Sequence, residues 1–267
     1  MADHTAGAGD SKHVKAFWEG RAGQAGISEN EVTHRDIWQR WLEIEMIKKF
    51  VNPAARVLDV GCGNGYTTKQ IAPLVREIVG VDYGEEMIRR AKAESQPSRA
   101  GQAVSFHVAD VLELSPDRFG MFDQVLSERC LINLASWADQ QKAIANIADV
   151  LKPGGTFIFL EGCRNGREQL NAARQTVGLE VMPAVWHNVD FEEQQTLAYL
   201  ATRFDLEHKL HFGVYDFLAR VVHPLLVAPE APRYDARINE VAAKLALQSQ
   251  EFGHLSRVLF LVLRRKQ

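Results

Sequence analysis

The sequence predicts an α/β fold: a doubly wound, Rossmann-like, mostly parallel sheet of seven strands with an antiparallel last strand. Three observations predict it: short apolar segments, helical patterns between them, and a glycine-rich turn directly after the first segment. Strands buried on both faces read as continuous apolar runs, and connections between parallel strands are right-handed. We therefore expect helices on both faces of the sheet.

Five predicted strands lie in the first part of the chain and two near its end. Each is a short run rich in branched or aromatic residues that stops near a turn signal. The predicted strands cover residues 57–60, 77–81, 104–108, 122–126, 156–160, about 205–211 and about 257–263.

Two helices have sequence signals at their starts. Ser136 followed by Asp139, and Thr33 followed by Asp36, are capping-box patterns, each of which predicts that a helix begins there. Apolar residues then recur at helical spacing. These are Ala143, Ile144, Ile147 and Leu151 in the later helix, and Ile37, Trp41, Ile44 and Ile47 in the earlier one.

The predicted organisation is one large domain with additions. We assign residues 1–52 to an N-terminal tail and helical cap, with a short helix near 14–18. Residues 53–267 form the main domain, with helical lid insertions at about 165–203 and 213–253. The first insertion should hold two helices joined by residues 182–188, and the second a helix over 238–247. Residues 1–12 lack the apolar core of a secretory signal and are predicted to form a loose tail.

Composition excludes several classes of protein. The 267 residues carry a formal net charge of −3, which argues against binding nucleic acid through bulk positive charge. The longest apolar run, residues 258–263, is too short to cross a membrane. Three widely spaced cysteines support neither a disulfide framework nor a zinc site. We expect a cytoplasmic protein with no nucleic-acid or membrane partner and no metal, of undetermined oligomeric state.

The glycine-rich turn is the most informative motif. Residues 57–65 read V-L-D-V-G-C-G-N-G, with glycine at positions 61, 63 and 65. The spacing differs from G-x-G-x-x-G, which is typical of dinucleotide sites, and from the phosphate-binding P-loop. A turn without a ligand is the alternative interpretation. Asp82 and Asp110 end the next two predicted strands, and carboxylates there can accept hydrogen bonds from hydroxyl and amino groups.

Together these motifs resemble the class I S-adenosylmethionine-dependent methyltransferases. The ordered match continues with V-G-V-D, A-D-V, F-D-Q-V-L-S and L-K-P-G-G-T-F, and it covers roughly residues 56–162. The resemblance implies S-adenosylmethionine as cofactor and S-adenosylhomocysteine as product. It also implies cofactor-binding roles for Asp59, Gly61, Gly63, Gly65, Asp82 (ribose), Tyr83, Met87, Asp110 (adenine amino group), Val111 and Ser127.

Methyl transfer to a hydroxyl group requires a general base within hydrogen-bond reach. Glu128, His187 and His211 are the candidate bases, ahead of His34 and His223. Residues of the same segments are candidates for binding the acceptor: Arg129, Asn133, Trp186 and Tyr215. For Arg129 an ion pair with Glu128 is the alternative, and for Trp186 and Tyr215 it is packing. Arg35 and Trp38 are expected to cover the cofactor.

A small-molecule acceptor is favoured over a nucleobase, because Ser127-Glu128-Arg129-Cys130 stands where nucleobase amino-methyltransferases carry N-P-P-Y or D-P-P-Y. By resemblance we expect O-methylation in bacterial secondary-metabolite or sugar and polysaccharide biosynthesis. Methylation of nitrogen or carbon, and a non-catalytic cofactor-binding module, are the alternatives. A nicotinamide-dependent oxidoreductase is disfavoured by the glycine spacing, and aminopropyl transfer by the lack of a recognisable polyamine pocket.

Overall fold

The computed structural model describes residues 11–24, 26–93 and 103–267 and contains a seven-stranded sheet. The predicted loose tail over residues 1–12 lies mostly outside the described residues, but Ser11 and Lys12 already belong to the first helix. The strands are β1 (Arg56–Val60), β2 (Glu77–Asp82), β3 (Ala103–Val108), β4 (Phe122–Glu128), β5 (Leu151–Gly162), β6 (Phe204–Leu210) and β7 (Val258–Arg265).

Eleven α-helices surround the sheet in the described part of the chain. They are α1 (Ser11–Gly23), α2 (Ile37–Lys48), α3 (Tyr66–Ile71), α4 (Glu85–Ala93), α5 (Pro116–Phe119), α6 (Trp137–Val150), α7 (Arg164–Thr176), α8 (Glu193–Leu200), α9 (Gly213–Phe217), α10 (His223–Val227) and α11 (Arg237–Ala246). In this part of the chain, no helix is long and apolar enough to cross a membrane.

The strand order confirms the predicted fold class. The order is β3-β2-β1-β4-β5-β7-β6, and β7 is antiparallel to both of its neighbours. The remaining pairs are parallel, for example Leu58 opposite Val79 in β1 and β2. From β1 the next strands in the chain are added on one side of the sheet as β2 and β3, and the later strands are added on the other side from β4. The strand order therefore changes direction between β1 and β4. This is the point where ligands of doubly wound folds bind, outside the carboxyl ends of the strands.

Alternate residues of each strand face opposite sides of the sheet, so two cores form. On one side, Phe157 and Phe159 of β5 pack with Ile144 and Ile147 of α6. On the other side, Ile158 and Leu160 pack in the cluster that also contains Leu42 of α2. Helix α11 belongs to this second cluster through Ala242, Ala243 and Ala246. The insertion at 213–253 therefore supplies a helix to the sheet face, whereas we expected it to cover the strand ends.

The two predicted helix starts had different outcomes. Ser136 caps α6 as predicted, since its Oγ accepts a hydrogen bond of 3.1 Å from the Asp139 amide. The start at Thr33 was wrong: α2 begins at Ile37, and Asp36 is its N-cap. The Asp36 carboxylate accepts from the Gln39 amide at 3.1 Å and thereby satisfies one of the unpaired amides at the helix start.

Two further predicted positions need correction. Leu151 lies one residue beyond α6 and begins β5, because the chain there pairs with Phe122 of β4. The connection between α7 and α8, in the insertion predicted for 165–203, is longer than the predicted 182–188 and runs from residue 177 to 192.

Candidate active site

The glycine loop follows β1 and leads into α3. Gly61, Gly63 and Gly65 have φ values of +69°, +54° and +74°, in the left-handed region that favours glycine. A Cβ atom added at Gly63 would lie 2.8 Å from Thr33 Cγ2. The loop therefore needs glycine both for its backbone conformation and for the close approach of the N-terminal segment.

Asp82, at the end of β2, fixes this loop. Its Oδ2 accepts a hydrogen bond of 3.0 Å from the Gly63 amide, and its Oδ1 accepts one of 2.7 Å from the Gly84 amide. Burial raises the pKa of Asp82 to about 6. Each carboxylate oxygen retains a second lone pair, so the group can accept hydrogen bonds from two neighbouring hydroxyls.

Asp59 performs a structural task beneath the loop. It is buried, and its Oδ2 accepts a hydrogen bond of 2.6 Å from Thr68 Oγ1 on α3. Burial raises the pKa of Asp59 to about 7, while the bond from Thr68 opposes that rise. Asp59 therefore ties the end of β1 to α3.

The residues predicted to surround an adenine ring lie at the ends of β2 and β3. Asp110 Oδ1 accepts from the Leu112 amide at 2.8 Å, and Val111 beside it is buried. Tyr83 is partly buried, with Lys15 Nζ of α1 located 5.6 Å from its ring centre. Met87 packs in a buried cluster beneath the N-terminal segment. Its Sδ lies beside the glycine loop, 3.9 Å from where a Cβ added at Gly63 would stand, and its contact with adenine stays a prediction.

A buried acceptor atom lies next to the glycines. Asn64 is fully buried and its Nδ2 donates to the Glu29 carbonyl at 2.8 Å, but its Oδ1 has no hydrogen-bond partner among the described residues. An unpaired buried oxygen is costly unless a ligand group donates to it. The glycines, Asp82 and this oxygen fit the amino and hydroxyl groups of an adenosine cofactor.

The end of β4 is held by a buried acid that the sequence reasoning missed. Glu161 of β5 accepts hydrogen bonds from Ser127 Oγ and from three backbone amides of residues 130–132, the last at 3.2 Å from Ile132. Burial raises the pKa of Glu161 to about 7. The Ser127 hydroxyl is buried and donates to Glu161, so it shapes this loop, and its role beside the cofactor stays a prediction.

Arg129 lies in the same loop and has a positive φ of 53°. Its predicted alternative role, an ion pair, is what the structure shows, although with a different partner. The guanidinium forms a paired contact with Glu43 of α2, with Nε 3.1 Å from each carboxylate oxygen. Glu43 is fully buried, so this ion pair joins the N-terminal cap to the end of β4 and neutralises Arg129.

Glu128 lies beside this ion pair and has a perturbed pKa. Burial raises it to about 7, the negative charge of Glu43 adds to the rise, and Arg40 opposes it. Arg40 itself packs 4.1 Å above the Tyr66 ring, next to the glycine loop. His34 also lies within this charged cluster, and burial lowers its pKa to about 4.

His187 and Asn133 meet in an aromatic cluster. His187 Nδ1 lies 2.9 Å from Asn133 Oδ1, and the same oxygen accepts from Trp18 Nε1 at 3.1 Å. The Phe17 ring stacks on His187 at 4.9 Å, and Trp186 contacts His187 edge-on at 5.2 Å. Trp186 is 52% exposed, so it forms the outer rim of the cluster.

His211 lies away from the glycine loop, and Tyr215 is a core residue. His211 lines a separate cavity of about 350 Å³ with Cys163 and Glu193, at the end of β6. Strand β6 is three positions from β4, or about 14 Å at the usual strand spacing. Tyr215 is fully buried and donates to Asp36 Oδ1 at 2.6 Å. The structure therefore places Tyr215 in the core, where it anchors the start of α2.

The remaining candidates are His223, Arg35 and Trp38. His223 is buried with its Nδ1 3.1 Å from Asn239 Oδ1, in the 213–253 insertion. Arg35 is exposed, and Trp38 packs edge-on against Trp41. The sequence reasoning also missed Phe17, Trp18 and Glu43. Their helices were predicted, but the direction of their side chains depends on contacts between distant parts of the chain.

Comparison with known proteins identifies a family. A methyltransferase domain family matches residues 52–207, which is more than half of the chain. A ubiquinone biosynthesis O-methyltransferase of Xanthomonas axonopodis pv. citri is 34% identical over 119 residues, 44% of this chain and 48% of that protein. A ubiquinone/menaquinone biosynthesis C-methyltransferase of a Geobacter species is 32% identical over 135 residues, 49% of this chain and 56% of that protein. The match thus spans about half the length of these relatives.

Solved structures share the fold over almost the whole chain. The N-methyltransferase NodS from Bradyrhizobium japonicum, in complex with S-adenosylhomocysteine, matches with a TM-score of 0.58 and 14% identity, covering 95% of this chain and 99% of that one. Magnesium protoporphyrin IX methyltransferase from Synechocystis, also with S-adenosylhomocysteine bound, gives a TM-score of 0.58 at 15% identity, over 96% and 100% of the chains.

Proposed function

The chain belongs to the class I S-adenosylmethionine-dependent methyltransferase family, and from that premise we propose that it methylates a hydroxyl group on an aromatic small molecule. The observation that carries this proposal is the cluster around His187, where an imidazole lies among Phe17, Trp18 and Trp186. Aromatic rings favour packing with a planar apolar acceptor, and an imidazole is the most common general base in enzymes.

The cofactor half of the site has the groups that this function needs. When bound, S-adenosylmethionine supplies the methyl group, and its sulfur keeps the electron pair of the bond that breaks. Asp82 would accept hydrogen bonds from the ribose hydroxyls and Asp110 from the adenine amino group. Asn64 Oδ1, which is buried and has no hydrogen-bond partner in the described part of the chain, would accept from the amino group of the methionine part.

On the acceptor side, the charge distribution narrows the substrate class. Arg129 would suit an acidic acceptor if its guanidinium were free, but it is paired with the buried Glu43. The rings and amides around His187 therefore favour an uncharged aromatic hydroxyl over a sugar phosphate or a carboxylate. His187 is the proposed base, because burial lowers its pKa and keeps the ring neutral near pH 7. Glu128 is the second candidate base, on the strength of its raised pKa.

The similarity to a ubiquinone biosynthesis O-methyltransferase supports oxygen as the reacting atom. The similarity to a ubiquinone/menaquinone biosynthesis C-methyltransferase supports carbon instead, so the two must be separated by experiment. Both relatives carry names from quinone biosynthesis, which agrees with an aromatic acceptor. We therefore propose that the acceptor is an aromatic metabolite. This proposal replaces the broader expectation of a secondary metabolite, a sugar or a polysaccharide.

The test uses S-adenosylmethionine with an isotopically labelled methyl group and a set of matched ring compounds. The set contains a phenol, the corresponding aniline, the corresponding methyl ether, and a sugar phosphate. We expect S-adenosylhomocysteine to bind with micromolar affinity in calorimetry and the label to appear as an aryl methyl ether from the phenol. If the labelled methyl group appears on the aniline nitrogen or on a ring carbon, the proposal of O-methylation is replaced by N- or C-methylation. If S-adenosylhomocysteine binds but no compound is labelled, the chain is a non-catalytic cofactor-binding module.

A further inference from the structure

Asn133 forms hydrogen bonds to three separate parts of the chain. It ends the short 3₁₀ helix that follows β4, and its Nδ2 donates to the Arg129 carbonyl at 2.8 Å. Its Oδ1 accepts from Trp18 Nε1 on α1 and lies 2.9 Å from His187 Nδ1. One amide therefore joins the loop after β4, the N-terminal helix and the segment that carries His187.

The donors around this amide determine which way it points. A carbonyl oxygen can only accept, so the atom facing Arg129 O must be the amide nitrogen. An indole N–H can only donate, so the atom facing Trp18 must be the amide oxygen. The Arg129 carbonyl and the Trp18 indole therefore require the same placement of the amide nitrogen and oxygen, and these two hydrogen bonds determine the orientation of the Asn133 side chain.

This orientation fixes the proton position on His187. Because Asn133 Oδ1 can only accept, the Nδ1 atom 2.9 Å away must carry the hydrogen. In a neutral imidazole the other nitrogen, Nε2, then has the free lone pair. We infer that Asn133 is a positioning residue, which holds His187 as the tautomer whose Nε2 can accept a proton from the acceptor hydroxyl.

The surroundings of the ring keep that tautomer neutral and oriented. The neighbours are the rings of Phe17 and Trp18 from α1, Trp186 and Asn188 beside it in the chain, and Asn133 from the loop. Burial lowers the pKa of His187, and the Asn188 side chain raises it by less. Among the described residues, no charged side chain contributes to this shift.

The chemical part of the inference rests on the proposed function. In that reaction the hydroxyl oxygen would form a bond to the methyl carbon, and the hydroxyl proton would move to His187 Nε2. The electron pair of the bond between the methyl carbon and the cofactor sulfur would stay on the sulfur. Trp18 belongs to α1, so the set of groups that orients the base is complete only when α1 lies against the loop after β4. This links the position of the N-terminal helix to the state of the base.

The test compares two substitutions at one position. Asn133→Asp and Asn133→Ala both remove the bond from Nδ2 to Arg129 O, but only Asn133→Asp keeps an acceptor at Oδ1. The tautomer of His187 is measured by ¹⁵N NMR of the intact chain, without any acceptor substrate. We expect the Nδ1–H form in the native protein and in Asn133→Asp, and a shift towards the Nε2–H form in Asn133→Ala.

The second readout is methyl transfer to the phenol that is labelled in the set of ring compounds described above. Asn133→Ala should lower kcat by about tenfold to a hundredfold, at or below the lower end of the roughly 10²–10⁴-fold that a positioned base contributes, because His187 itself remains. Asn133→Asp places a negative charge beside the ring, so the acidic limb of the kcat/KM profile should move to higher pH. A change in folding alone would not move that limb.

The chain also contains a matched control. His223 Nδ1 lies 3.1 Å from Asn239 Oδ1, and Asn239 Nδ2 donates to the backbone, so this pair has the same chemistry outside the proposed site. Asn239→Ala should change the tautomer of His223 and leave the pH profile unchanged. The inference is overturned if native His187 is the Nε2–H form, or if Asn133→Ala leaves its tautomer unchanged. These NMR outcomes stand even if no methyl transfer is found.

Discussion

The cofactor half and the acceptor half of the site are built from contacts of very different range. In the cofactor half, at the ends of β1–β3, the bond between Gly63 and Asp82 joins residues 19 positions apart. In the acceptor half, at the ends of β4 and β5, Asn133 joins Trp18 and His187, which lie 115 and 54 positions away. Two consecutive strand-helix-strand units, from β1 to β3, are enough to place the first set. The second depends on the packing of the whole chain.

The largest expected effect is the loss of cofactor binding in Asp82→Ala. The substitution removes a carboxylate that would accept two ribose hydroxyls, and hydrogen bonds to a charged group contribute about 1.5–3 kcal/mol each. We expect the affinity for S-adenosylhomocysteine to fall by at least about a hundredfold in calorimetry.

The control for this prediction is Asp149→Ala, which removes an exposed carboxylate from α6. Its affinity should equal that of the native protein. If Asp82→Ala is folded by circular dichroism and binds S-adenosylhomocysteine with native affinity, the cofactor does not bind at the glycine loop and Asp82.

The next effect is on stability and concerns the ion pair between Glu43 and Arg129. Glu43→Gln removes the carboxylate that pairs with the largely buried Arg129 guanidinium. The more distant charges of Glu128 and Asp216 remain. Breaking one side of such a pair costs about 3 kcal/mol. We expect a lower free energy of unfolding in urea and an unchanged affinity for S-adenosylhomocysteine.

The matched control lies on the same helix. Glu45→Gln removes a carboxylate that pairs with Lys48, where both side chains are about 30% exposed. Helical ion pairs of this spacing on the surface contribute about 0.2–0.5 kcal/mol. Equal effects of the two substitutions would show that the buried pair does not hold the N-terminal cap to the acceptor half.

The same difference in range explains what the sequence could predict. The strands, the glycine loop and the Ser136 cap depend on neighbouring residues, and all of them are found in the structure. The start of α2 was misassigned because the Asp36 carboxylate, which caps it, is also held by Tyr215 from the far end of the chain. Helical spacing shows that Glu43 lies on α2, but its partner Arg129 is 86 positions away.

The smallest expected effect tests the rim of the acceptor half. Trp186 is half exposed and contacts Phe17 and His187 edge-on, so it can cover an aromatic acceptor without supporting the core. An aromatic pair contributes about 0.5–1.5 kcal/mol beyond its buried area. Trp186→Ala should therefore raise KM for the phenol by roughly threefold to tenfold.

The value of this last measurement lies in what should stay constant. Trp186 contacts residues of the acceptor half, so the affinity for S-adenosylhomocysteine should not change. Tyr234→Ala removes an aromatic ring of similar exposure from the 213–253 insertion and should leave KM unaltered. A parallel loss of cofactor affinity in Trp186→Ala would mean that the two halves are energetically coupled. The acceptor half would then have to be treated as part of the cofactor site, although its residues come from more distant parts of the sequence.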